Sequence, residues 1–242
     1  MSLSVDAVGT LLCDWRPSAG PFLIGVTGSV AAGKSTFALQ LAEALAGWVD
    51  RPVREVVSTD GFLLPNAQLE TQGLSLRKGY PETYDMAALR AALKDVRTGD
   101  AAFPGYSHMT YDVDPSLERR LRRPDVLIVE GLALHEGAGA LGLDVLIYLD
   151  ADVADLEAWF VDRFMQFWTA AEFDPASFYV RFRHLSEAEA RGVAQAVWRA
   201  VNLPNLERHI AFGRSRADIV VRKQSDHSIG AIIRQHPGPE GC

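Results

Sequence analysis

The run Gly28-Ser-Val-Ala-Ala-Gly33-Lys34-Ser35 constrains this chain more than any other stretch, because it fits G-x-x-x-x-G-K-[ST] and stands between an apolar strand-like run and a helix-like one. Phe22-Leu-Ile-Gly-Val-Thr27 reads as a buried strand. Phe37, Leu41, Leu45 and Trp48 then recur at helical spacing. Between the two, the glycines permit a turn whose backbone N–H groups curl around a phosphate, and the positive end of the following helix dipole points at the same place. Gly28, Ser29, Val30, Ala31, Ala32, Gly33, Lys34, Ser35 and Thr36 are therefore the expected contacts to a nucleoside triphosphate. Lys34 adds charge near the β- and γ-phosphates, and Ser35 offers a hydroxyl to Mg2+.

The 242 residues, 48% of them apolar, suffice to bury one α/β core. Short, mainly apolar runs without alternation, at 53–58, 125–130, 144–150 and 218–222, are interleaved with helical patterns, one of which spans Leu89 to Val96 and is opened by Asp85. Such strands suit a sheet covered on both faces. The expected fold is a doubly wound, mostly parallel α/β sheet with helices on both faces. Residues 1–20 read as a weakly patterned lead-in that ends in the linker-like Arg16-Pro-Ser-Ala-Gly20. Residues 21–234 form the single expected domain and 235–242 a flexible tail. Ala154 to Phe167 and Ser186 to Val201 carry helical periods, the second opened by the capping box Ser186-Glu-Ala-Glu189. The region of about 163–190 is expected to be a small helical lid.

A formal net charge of −7 argues against a general nucleic-acid binder. Cys13 and Cys242, the two cysteines, form neither a C-x-x-C pair nor a zinc pattern with histidine. The first twenty residues carry Asp6 and Asp14 and lack a basic start, and no uncharged apolar run reaches about 18 residues, so neither secretion nor membrane insertion is expected. The expected setting is the cytoplasm.

Asp60 follows the second strand, at the edge where open parallel sheets bind ligands. There a carboxylate can orient a substrate hydroxyl or take its proton for attack on a γ-phosphate; it can equally cap a turn or hold a water on Mg2+. Glu130 ends the third strand in the same register and can serve Mg2+, or simply face solvent. Arg163, Arg181 and Arg183 offer guanidinium groups of the kind a phosphoryl-transfer site uses, with surface ion pairing as the alternative. Phe103 to Asp112, which has neither a strand nor a helix period, brings Tyr106, His108 and Tyr111 together as a wall for a small polar substrate. Arg77 and Lys78 lie in a loop whose charge can meet phosphate or carboxylate. Trp159, Phe160, Phe164 and Phe167 read first as core and second as an apolar substrate wall.

These segments together resemble the bacterial type I pantothenate kinases, in the phosphoribulokinase and uridine kinase branch of P-loop kinases. The likeness rests on Gly28 to Thr36, Ser58-Thr-Asp-Gly-Phe-Leu-Leu-Pro-Asn66, Arg77-Lys-Gly-Tyr-Pro-Glu-Thr-Tyr-Asp85, Tyr106-Ser-His-Met-Thr-Tyr-Asp-Val113 and Glu130-Gly-Leu132, and it resumes from Trp159 onward. The resemblance implies a P-loop NTPase fold and Mg2+-dependent phosphorylation of the primary hydroxyl of pantothenate by ATP, on the way to coenzyme A. It makes Lys34 the phosphate-stabilising lysine, Asp60 the catalytic base and Arg163 a phosphate clamp. Tyr106, His108, Tyr111, Asn202 and the position of Phe160 would contact the acceptor, Lys223 and His227 would lie by the nucleotide, and Ser35 with Glu130 would serve the metal. It also implies a homodimer. Phe160 stands where the family has a tyrosine, Ala133 and His209 where it has asparagines, and Leu39 where it has an arginine tied to feedback by coenzyme A. A kinase of another small alcohol, such as uridine or a sugar, uses the same phosphate machinery, and a nucleotide-binding switch uses only the loop.

Overall fold

The computed structural model describes residues 3–48 and 53–238. Helix α1 (Val5–Leu11) precedes strand β1 (Phe22–Gly28), which passes through the glycine-rich turn into α2 (Lys34–Leu45). Strand β2 (Arg54–Ser58) leads through a 3-10 turn at Thr59–Phe62 to α3 (Asn66–Thr71) and α4 (Met86–Thr98). A hairpin of β3 (Asp100–Ser107) and β4 (Asp112–Arg122) is followed by β5 (Val126–Glu130), α5 (Ala138–Leu141) and β6 (Val145–Asp150). Helices α6 (Val153–Ala170) and α7 (Glu187–Val197) come next, and β7 (Ile219–Lys223) and β8 (Ile229–Arg234) complete the order.

The main sheet runs β2-β5-β1-β6-β7-β8. Its neighbours are parallel except for β7 and β8 at the edge. Every residue of β1 and β5 is buried, which is what a sheet flanked by helices demands of its central strands and why those strands are apolar without alternation. The expected doubly wound, mostly parallel fold is the observed one. Asp85 caps α4 through a hydrogen bond from Ala88 N at 2.9 Å, and Ser186 with Glu189 forms the expected capping box on α7.

Helix α6 is shared between two apolar clusters. Leu156 and Trp159 pack into the core around the sheet, while Val161, Phe164 and Met165 pack with Ala171, Tyr179, Ala190 and Ala194. The helical region of about 163–190 thus has a small core of its own, which a simple surface loop does not have.

The structure adds to three expectations. The lead-in is structured ahead of its linker-like end at Arg16 to Gly20: α1 and the 3-10 turn Leu12–Trp15 bury Val8, Leu12 and Trp15 in the main core. The apolar positions 8, 12 and 15 follow helical spacing, a short signal that Asp6 and Asp14 interrupt. Phe103 to Asp112 is not without strand structure but forms the tip of the β3–β4 hairpin, whose period is hidden because the ladder slips between Phe103 and Gly105. Gln235, at the head of the expected tail, is anchored, its N donating to Asp218 O at 2.8 Å. Cys242 and the rest of the expected tail from 239 onward lie outside the described residues.

Trp15 is 3% exposed and its ring lies under the Arg234 guanidinium at 4.5 Å. Trp15→Ala is expected to lower unfolding stability by about 3–5 kcal/mol, read from urea titration; an unchanged midpoint would mean that the lead-in adds nothing to the core.

Candidate active site

The C-terminal ends of β1, β2 and β5 lie side by side, with Val26 and Ser58 both in register with Glu130. The glycine-rich turn leaves β1 at this edge, and Gly33 adopts φ 81°. A side chain there would be strained, and its Cβ would come within 2.9 Å of Lys223 Nζ. Lys223 reaches the turn from β7 and donates to Ala32 O at 3.2 Å. Lys34 Nζ donates to Ser29 O at 2.8 Å, and Ser35 Oγ donates to Glu130 Oε1 at 3.0 Å.

Burial dominates the electrostatics of this edge. It pushes the Lys34 ammonium below the usual lysine range, against the pull of the Glu130 and Asp60 carboxylates. It raises Asp60 against the opposing charges of Lys34, Arg163 and Lys78. Glu130 is raised by burial and held back chiefly by Lys34. His108 is lowered by burial and by the neighbouring Arg163, so its imidazole is neutral near pH 7.

Two pockets open here. A cleft of about 550 Å3 is lined by Gly33 to Thr36, Ala31, Trp159 and His227. His227 stacks on Trp159 at 4.1 Å, and Trp159 Nε1 donates to Ser225 O at 3.1 Å, which fixes the pair. A second pocket of about 380 Å3 holds Asp60, Tyr106, Tyr111, Phe160 and Asn202. His108, Arg163 and Phe167 line both. The expected residues from the turn, the three strand ends, the hairpin and α6 are therefore gathered in one place.

The hairpin reaches the site because Gly61 allows it. A Cβ on Gly61 would lie 1.8 Å from Pro104 O, so the backbone of β3 presses directly on the residue after Asp60. That contact sets Tyr106, whose ring meets His108 at 5.1 Å and Tyr111 at 6.1 Å. Asn202 ends a π-helical turn, Trp198–Asn202, at the close of α7, and its Nδ2 is buried without a hydrogen-bond partner. Phe160 rests against Trp198 at 5.8 Å and faces the second pocket, so both readings of the aromatic stripe hold in part.

The arginines separate. Arg163 stands over Phe167 at 5.5 Å between the two pockets. Arg181 stacks on Phe178 at 4.0 Å at the second pocket. Arg183 instead pairs with Glu172 at 2.9 Å and lies over Trp168 at 4.1 Å, which is the structural alternative.

Lys78, expected in a loop whose charge can meet phosphate or carboxylate, lines the second pocket and donates to Asn66 Oδ1 at 2.5 Å and Tyr111 O at 2.7 Å. Burial lowers its ammonium to about 8. Tyr84 and Tyr179 also line this pocket and were not singled out. The signal for Lys78 and Tyr84 was their place in the polar, aromatic segment from Arg77 to Asp85.

A basic cleft that shares a wall with an aromatic pocket, with a buried carboxylate in that pocket, can pass a phosphoryl group between two occupants. Gly61→Ala is expected to shift the hairpin and lower acceptor kcat/KM on the order of a hundredfold, with Mg-ATP affinity by calorimetry nearly unchanged. Equal loss of both would mean that the contact holds the whole edge together.

The chain matches the Phosphoribulokinase / Uridine kinase family over residues 23–164. A pantothenate kinase of Leifsonia xyli subsp. xyli is 45% identical over 227 residues, covering 90% of this chain and 70% of its own length. That of Clavibacter sepedonicus is 46% identical over 227 residues, covering 90% and 71%. Among solved structures, a protein of Silicibacter sp. TM1040 described provisionally as a fructose transport system kinase superposes with a TM-score of 0.72 at 26% identity, covering 90% of this chain and 98% of its own.

Proposed function

The chain belongs to the Phosphoribulokinase / Uridine kinase family and, within it, to the bacterial type I pantothenate kinases, and from that membership we propose that it transfers the γ-phosphate of ATP to the primary hydroxyl of pantothenate. The observation that carries the reading is the shared wall: His108 and Arg163 border both the phosphate cleft and the pocket that contains Asp60. A nucleotide-binding switch needs no second pocket of this kind.

In this reading ATP lies along Gly28 to Thr36, with its adenine near His227 and Lys223. Mg2+ suits the site because Ser35 and Glu130 present a hydroxyl and a carboxylate, hard oxygen donors already in contact with each other. Bound there, it neutralises charge on the phosphates. The acceptor lies against Tyr106, His108, Tyr111, Phe160 and Asn202, the unpartnered Asn202 amide being available to a polar group of the substrate. Asp60 takes the proton of the acceptor hydroxyl as its oxygen forms a bond to the γ-phosphorus, and the bond from that phosphorus to the β-bridging oxygen breaks. Lys34 and Arg163 stabilise the charge on the transferring group. The helical body around α6 and α7 acts as the lid, and the active protein is a homodimer in the cytoplasm. Among the described residues no helix is long and apolar enough to cross a membrane.

A kinase for another small alcohol remains the second reading, favoured by Phe160 standing in the acceptor pocket without a hydroxyl. Mg-ATP consumption by the purified chain, measured against pantothenate, uridine, cytidine and simple sugars with product mass as readout, separates the two. Phosphopantothenate supports the first; a phosphorylated nucleoside or sugar in its place sinks it.

Because a base must be ionised, turnover is lost as pH falls through the Asp60 value, which burial places above the ordinary aspartate range. The acid limb of kcat/KM is therefore expected above that range. Asp60→Asn should lower kcat by about 10²–10⁴ and remove this limb, with ATP affinity retained. Lys34→Ala should lower kcat by about 10²–10³ with an unchanged circular dichroism spectrum.

A further inference from the structure

Within the acceptor pocket one buried polar group has no assigned work. Tyr84 is 7% exposed, and its hydroxyl is buried without a hydrogen-bond partner. Leaving a phenol so placed is unfavourable unless a partner arrives during the working cycle. The backbone holds Tyr84 firmly beside the segment that carries Asp60. Leu63 and Tyr84 form an antiparallel bridge, Leu64 N donates to Thr83 O at 2.8 Å, and Asp85 N donates to Phe62 O at 2.8 Å. Leu63 N in turn donates to Asp60 O at 3.1 Å. Tyr84 and Asp60 both line the acceptor pocket.

Among the described residues no hydrogen bond of ordinary length and angle holds the Asp60 carboxylate. Its neighbours act through charge: Lys34 from α2, Arg163 from α6, Lys78 from the loop before α4, and Glu130 from β5. The phenols of Tyr106 and Tyr111 approach it from the hairpin. Tyr84 is the side chain whose hydroxyl lies near enough to favour the ionised carboxylate. Burial and the Asp60 charge keep its own proton in place well beyond the usual phenol range, so it is a donor at every working pH.

We infer that Tyr84 is a positioning residue for the catalytic carboxylate: its phenol donates a hydrogen bond to one oxygen of Asp60 when the acceptor closes the pocket, leaving the other oxygen turned toward the acceptor hydroxyl. The inference rests on Asp60 being the base of the proposed kinase. Tyr84 itself exchanges no proton with the substrate. Its contribution is the orientation of a carboxylate that charge alone would leave free to rotate.

Tyr84→Phe removes the hydroxyl and keeps the ring, and its fold is checked by the Mg-ATP affinity it retains. Steady-state kinetics are run with whichever alcohol the wild-type chain phosphorylates, so that a wrong acceptor and a wrong role for Tyr84 fail separately. The expected result is a fall in kcat of about ten- to a hundredfold, a KM for the acceptor within about twofold of wild type, and an acid limb of kcat/KM displaced to higher pH. In the Asp60→Asn background the same change should have no further effect on kcat. A rise in acceptor KM with kcat unchanged would make Tyr84 a substrate contact and overturn the inference. So would an equal loss of kcat in the Asp60→Asn background, or an acid limb that does not move.

Discussion

Lys34, Asp60 and Glu130 are buried together at one edge of the sheet, and the attraction of Lys34 for the two carboxylates, which repel each other, is the interaction on which the rest of the site depends. Desolvation disfavours the charge on each of them, and each is supported by the opposite charge of another. The parallel sheet makes this arrangement possible. It brings the ends of β1, β2 and β5 into register, so that the turn after β1 and the carboxylates after β2 and at the end of β5 meet without any long loop being ordered for the purpose.

Around that edge the molecule is organised by close backbone approaches. The absent side chain of Gly61 admits the hairpin, and the hairpin's aromatic tip then forms one wall of the acceptor pocket. The opposite wall comes from α6 and the π-helical end of α7, whose Trp198 is fully buried behind Phe160. The glycine-rich turn is thus one continuous stretch of sequence, whereas the pocket that contains Asp60 is assembled from many separated segments.

That difference explains what the sequence made legible. A strand, a glycine-rich turn and a helix are local, and the apolar runs of β1, β5 and β6 carry the signature of burial on both faces. Asp60 and Glu130 were visible because strand ends are. The hairpin was not, since β4 is exposed along most of its length and the ladder slip breaks alternation in β3. Strand β8 has no helix before it and joins as an antiparallel edge, so the alternation of strand and helix does not announce it. Lys78 and Tyr84 lie in or beside short 3-10 turns, where neither period applies, and only their neighbours in space give them meaning. Arg181 and Arg183 look alike in sequence and part company because, among the described residues, Arg183 pairs with Glu172 while Arg181 stacks on Phe178.

Helix α6 presents Trp159 and Arg163 to the nucleotide cleft and Phe160, Arg163 and Phe164 to the acceptor pocket. Arg163 and Phe167 line both spaces. Their side chains cannot be moved or replaced in favour of one space without altering the wall of the other, so the two compartments are tied to each other by a single helix rather than by the sheet that holds them.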